Sequence, residues 1–107
     1  MKETLHQGDI VKIEKIRHPV LVTSKDFFNQ AGEIVGCPVF QDSKASPLHI
    51  KIRTDSTEGY VQCEKLALLD INVRGFLKID RISVADIINI TDAIQGIFDY
   101  GVYAVKM

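Results

Sequence analysis

Arg17 and His18 stand side by side just before Pro19. A guanidinium is always charged and grips a phosphate with two donors, whereas an imidazole takes up or gives a proton near neutral pH. Phe40, at the end of an apolar run, has a face on which a base could stack, but a large aromatic at a strand end is more often core. Ser43 and Lys44 follow in a polar segment and would add a hydroxyl and a charge, or simply form a solvated loop. Lys12, Lys15, Arg17, Lys25 and Lys44 could make a basic rim, although scattered lysines also serve to keep an edge strand soluble. His6 is read as part of a frayed start and His49 as solvent-facing on an alternating strand. Neither lies at ligand spacing from a cysteine, so no metal site is expected. Cys37 and Cys63 sit far apart within apolar runs and read as buried free thiols.

These residues must be positioned by the elements around them. Asp9 to Glu14 and Pro19 to Ser24 have the composition of strands, and the link between them is short enough for antiparallel neighbours. Lys25 to Gln30 suits one helical turn with Ser24 as N-cap, ended by Gly32. Glu33 to Phe40 is β-rich, and Gly36 and Pro38 within it predict a bulge or interrupted ladder near a functional rim. After the loop from Gln41 to Pro47, Leu48 to Arg53 alternates apolar and polar residues as a half-exposed strand does. Gly59 to Lys65 follows a turn at Asp55 to Gly59, and Leu66 to Asp70 is either a bent strand or a tight helical turn. Phe76 to Ile82 reads as the last strand. From Ser83 the apolar spacing changes to that of a helix, with Val84, Ile87, Ile88, Ala93, Ile94, Ile97 and Phe98 as its stripe. Ser83 and Asp86 resemble a capping box, Gly101 is the expected stop, and the tail from Val102 either frays or folds back on the sheet.

The 107 residues suit one domain, 1–107, and with 46 % apolar residues it can bury a core without disulfides or metal. Thirteen basic residues against fourteen acidic ones give a net charge of −1, so any nucleic-acid site must be a local patch. No apolar run has membrane-spanning length and the first residues lack a signal-peptide core, which predicts a cytoplasmic protein with no membrane association. The expected class is mainly β (α+β), a small bent sheet or barrel closed by a C-terminal helix.

The order of Gly8-Asp9-Ile10-Val11, the run Arg17 to Ser24, and Asp26-Phe27-Phe28-Asn29 resembles the MazF/PemK family of bacterial toxin endoribonucleases. Cys37-Pro38-Val39, Val61-Gln62-Cys63-Glu64, Leu69-Asp70 with Arg74-Gly75, and the helix from Ser83 continue the likeness over Gly8 to about Asp99. The resemblance implies an SH3-like β-barrel and a homodimer whose groove takes single-stranded RNA. It also implies a cognate antitoxin partner and cleavage that needs no metal or cofactor. Glu64 matches the family position where some members use an acidic acid–base residue. On that basis His18 and Glu64 are the expected acid–base pair and Arg17 the phosphate-stabilising cation. Lys25, Gln41, Ser43, Lys44, Gln62 and Lys65 are the expected RNA-binding residues.

The sequence departs from the family pattern at four places. His18 stands where many members have Arg. Phe40 and Gln41 occupy positions usually held by Thr or Ser, and Lys65-Leu66-Ala67-Leu68 replaces a polar strip. The link from Ile13 to Pro19 has no room for the usual loop over the active site. These changes leave a second reading, a catalytically silent MazF-like binding module that has kept the barrel and dimer. A gyrase poison like the related CcdB toxins is disfavoured, because the chain contains no Trp.

Overall fold

The computed structural model describes residues 4–98. Seven strands and two helices follow one another as β1 (Asp9–Ile13), β2 (Val20–Val22), α1 (Asp26–Asn29), β3 (Glu33–Phe40), β4 (His49–Arg53), β5 (Glu58–Gln62), β6 (Ala67–Asp70), β7 (Phe76–Arg81) and α2 (Val84–Ile97). All pairings are antiparallel, in the order β4-β5-β3-β2-β1-β7, with β6 also on β3.

β3 is the hub, and its proline divides it. Val39 N donates to Pro19 O, and Val35 O accepts from Thr23 N, so odd-numbered residues turn their backbone groups toward β2. Pro38, with no N–H, therefore faces the opposite edge. On that edge β6 pairs with Glu33 to Gly36 and β5 with Val39 and Phe40. The ladder breaks between them, as Gly36 and Pro38 predict. The chain crosses this gap in a turn at Cys63 and Glu64, closed by Lys65 N donating to Gln62 O. β5 consequently ends at Gln62 instead of running to Lys65, and Leu66 to Asp70 resolves as mostly strand.

Gly36 is required by close packing at the same place, because a Cβ there would lie 2.5 Å from Val20 Cγ1. The β1–β2 link is as tight as expected, and Lys15 takes a left-handed φ of 71° to make it.

β4 and β7 end the strand path. Ser56, in the β4–β5 turn, donates from its backbone N and its Oγ to Asp80 Oδ2 on β7, at 3.1 and 2.8 Å. These bonds hold Asp80 well below the usual carboxylate range, together with Thr54 and the Arg81 N–H, and Thr54 contributes most. The result is a sheet curled onto itself and fastened by side chains.

Residues from both faces of the sheet are buried, in two clusters. Ile10, Leu21, Cys37, Val39, Ile52, Val61 and Cys63 pack toward α2, meeting Ile87, Ile90, Ala93 and Ile94. Val11, Ile13, Val20, Val22 and Ile34 point the other way onto Leu5, Leu69, Ile71 and Phe76. The apolar stripe of α2 is buried only in part: Val84, Ile88, Ile97 and Phe98 are exposed, Val84 by 70 %. Ser83 caps α2, its Oγ accepting from Asp86 N at 3.1 Å, and the helix ends at Ile97. The expected stop at Gly101 and the tail lie outside the described residues.

Ser24 does not cap α1. Lys25 holds the N-cap position with no side-chain cap bond, and Ser24 Oγ instead bonds Asn29 Oδ1 and accepts from Val35 N. Buried Asn29 in turn donates to Leu5 O and Ser24 O, tying the start of the chain to α1.

Cys37 and Cys63 are free and buried. Burial pushes their thiols up to about 12 and about 11, so at neutral pH neither carries appreciable thiolate, the reactive form. A disulfide-exchange reagent added to the native protein at pH 7.5 is expected to modify neither thiol on the minute scale, and both at once in denaturant. Prompt labelling without denaturant would show that this core opens.

Candidate functional site

The curl leaves a hollow of about 440 Å³ between the two ends of the sheet, lined by Lys12, Arg17, His18, Phe40, Gln41 and Glu58 among others. Its position follows from the fold. β1 and β7 form one wall, the β4–β5 turn the other, and the bend before β2 and the end of β3 form the floor. Because β2 begins only at Val20, Arg17 and His18 lie in a bend, where strand alternation does not send neighbours to opposite faces. Both line the hollow.

His18 is half-buried. Its ring meets Phe40 edge to face with centroids 4.8 Å apart, and its Nδ1 lies 3.3 Å from Pro19 O. Phe40 is therefore neither simple core nor a free stacking platform. Lys65 Nζ sits over the same ring, 5.2 Å from its centroid, a cation–π contact. A second hollow of about 460 Å³, lined by His18, Phe40, Lys65, Cys37, Leu69 and others, adjoins the first through the shared His18–Phe40 pair.

Glu64 does not bond His18 and lines neither hollow. Its Oε2 lies 2.8 Å from His49 Nε2. This bond, followed by backbone donation, holds the Glu64 carboxyl below its ordinary range. His49 Nδ1 lies 3.2 Å from Ser43 Oγ, which accepts at 3.3 Å from Gln62 Nε2. Three expected residues, Ser43, Gln62 and Glu64, are thus joined by a fourth, His49, which sequence reasoning assigned to solvent. The side chain of His49 is only 26 % exposed. A signal was present: a hairpin centred on residues 54–57 pairs His49 with Gln62 across β4 and β5.

The remaining expected residues fall elsewhere. Lys44 is exposed on the loop after β3. Lys25 lines a different hollow with Asp26, Phe27, Arg81 and His6. His6, expected to be frayed, has its Nδ1 2.9 Å from Asp26 Oδ1. Among the described residues no three His, Cys, Asp or Glu side chains gather as metal ligands, and no helix is long and apolar enough to cross a membrane.

The arrangement offers a cation in Arg17, a proton-transfer group in His18 and an amide in Gln41 around one hollow, whereas the Ser43, His49, Gln62 and Glu64 cluster lines neither hollow. Its scaffold is similar to solved toxin structures. The MazE-MazF crystal structure (Form-I) from Deinococcus radiodurans matches with a TM-score of 0.83 and 19 % identity, covering 91 % of this chain and 98 % of that one. MazF (Form-I) from the same organism gives 0.81 and 18 %, with the same coverage. An endoribonuclease in complex with its cognate antitoxin from a Mycobacterial species gives 0.75 and 15 %, covering 88 % and 94 %. At such identities the likeness establishes the fold. No curated protein matches the sequence. The family model described as PemK-like, MazF-like toxin of type II toxin-antitoxin system, in contrast, matches residues 6–98, from His6 to the last turn of α2, and the chain therefore belongs to that toxin family.

Proposed function

We propose that this toxin is an endoribonuclease that cleaves single-stranded RNA in the cytoplasm without a metal ion, as a homodimer restrained by a cognate antitoxin. The observation that carries the reading is the joint placement of Arg17, His18 and Gln41 around one hollow in a chain of this family. The reaction begins when a base takes the proton of a ribose 2′-hydroxyl. The oxygen attacks the adjacent phosphorus, the bond to the 5′-oxygen breaks, and an acid protonates the leaving oxygen, giving a 2′,3′-cyclic phosphate. Arg17 stabilises the charged phosphorane, Gln41 adds an amide donor, and His18 passes a proton to the leaving oxygen. Lys65 receives a phosphate beyond the scissile bond. Lys44 adds charge along the rim, and Ser43 and Gln62 add polar contacts there. Lys25, in its separate hollow, is assigned no contact at the scissile phosphate.

The exposed apolar side chains of Phe27, Val84 and Ile88 support burial against other chains, as a homodimer and an antitoxin require. The test is incubation of a long single-stranded RNA with the purified protein in excess chelator. Fragments ending in 2′,3′-cyclic phosphate are expected. An intact RNA beside folded, dimeric protein would overturn the reading and leave the silent binding module.

A further inference from the structure

The geometry points to Glu58 as the general base of this reaction. The inference rests on the proposed RNA cleavage and completes it, since His18 supplies only one of the two proton transfers. In an in-line displacement the attacking and leaving oxygens stand on opposite sides of the phosphorus, so the base must face the acid across it.

Two carboxylates, Asp42 and Glu58, line the hollow that Arg17 and His18 share. Strand register places the second of them. Tyr60 on β5 sits opposite Phe40 on β3, and Glu58, two residues before Tyr60, shares its face of the sheet. His18 meets the Phe40 ring from the β2 side. Glu58 and His18 therefore flank β3, two strand spacings or about 10 Å apart and offset by about 7 Å along the strands. That sets their Cα atoms roughly 12 Å from each other. Reaching into the hollow from either side, the two side chains leave room for a phosphodiester between them.

Glu58 is also held in place before any substrate arrives. Its Oε1 lies 3.4 Å from Nε of Arg53, its cross-strand partner on β4. The turn leading into it is fastened to β7, where Ser56 donates to Asp80. Asp42 has a shorter side chain, lies in the turn after β3, and makes no side-chain hydrogen bond or ion pair among the described residues. Of the two carboxylates, the preorganised one is the better base. The Arg53 pair is exposed and hence weak, and the carboxylate keeps further lone pairs for a hydroxyl proton.

Glu58 takes the proton of the ribose 2′-hydroxyl, and the 2′-oxygen bonds phosphorus while Arg17 holds the charge. The phosphorus–5′-oxygen bond then breaks, and His18 protonates the leaving oxygen. Proton exchange with water returns both side chains to their starting states.

The experiment is single-turnover cleavage of single-stranded RNA by the full chain across pH 4 to 9, for wild type, Glu58→Gln, Asp42→Asn, Arg53→Ala and His18→Ala, each verified as folded by circular dichroism. Wild type should lose rate toward low pH, as the base takes up a proton, and toward high pH, as the acid gives one up. Glu58→Gln is expected to cleave about 10²- to 10⁴-fold more slowly with RNA affinity kept, and its low-pH limb should vanish. Asp42→Asn and Arg53→Ala should keep both limbs. A substrate with sulfur in place of the leaving 5′-oxygen departs as a thiolate and needs no acid, so it should restore His18→Ala and leave Glu58→Gln slow. Glu58→Gln as active as wild type, or restored by the sulfur substrate, overturns the inference and leaves RNA cleavage standing. Loss of the low-pH limb in Asp42→Asn would do the same by making Asp42 the base, and an equal loss in Arg53→Ala by making the ion pair merely structural. A wild type that cuts no RNA overturns both readings.

Discussion

Arg17→Ala is expected to lower RNA cleavage about 10²- to 10³-fold, roughly 3–4 kcal/mol of transition-state stabilisation, while leaving thermal stability unchanged. Arg17 is exposed and lines the hollow beside His18, so its removal creates no cavity and orphans no buried group. Surface changes of this kind usually stay within about 0.5 kcal/mol of the parent. The phosphorane carries more charge than the bound phosphodiester, so a planar two-donor cation binds it more tightly than the ground state. Arg17→Lys keeps the charge but not the fork and should recover only part of the rate. Measuring kcat and KM separately for both variants decides the matter. A loss confined to KM would make Arg17 a binding group with no share in the chemistry.

Asp9→Ala is expected to destabilise the fold by about 3 kcal/mol, lowering the melting temperature by roughly 10–20 °C. Asp9 is 1 % exposed at the start of β1, and its carboxylate joins three partners. Arg81 Nη1 lies at 2.8 Å, Lys78 Nζ at 3.2 Å, and His6 N donates at 2.8 Å. Truncation removes the buried acceptor that Arg81, Lys78 and the His6 N–H share. Breaking a buried pair generally costs about 3–5 kcal/mol, and the lower end applies because Arg81 reaches solvent over half its side-chain surface. The damage falls on the β1–β7 ladder, where Asp9 sits opposite Arg81. Urea unfolding of wild type and variant gives the difference directly, and a change below about 1 kcal/mol would mean that the cations contribute nothing there.

The two substitutions address different layers of the molecule, and the sequence exposed those layers unequally. Ile50 and Ile52 alternating with His49, Lys51 and Arg53 marked β4 because period two is a local property of a chain with one wet face. Gly36 and Pro38 marked the broken ladder because a missing N–H is written in the residue itself. The boundary of β5 escaped, since whether Cys63 to Lys65 continues a strand or turns depends on which neighbour β3 presents to it. The helix stripe was misread for a similar reason: it included Val84, which is exposed, and left out Ile90, which is buried, because the sheet beneath decides which apolar positions of α2 are covered.

By itself the sequence determined six of the seven strands, the closing helix, the free thiols, and the pairing of Arg17 with His18 before β2, and left Leu66 to Asp70 open between a strand and a helical turn. All of these are carried by residues within a few positions of one another. Only the tertiary structure decided that Asp9 meets Arg81 across 72 positions, that Ser56 fastens the curl to Asp80, and that Glu64 turns to His49 fifteen positions away. Such partners are fixed by strand register and by the turn that replaces the end of β5. A hydrogen bond depends on distances of tenths of an ångström between elements that local periodicity leaves free to slide.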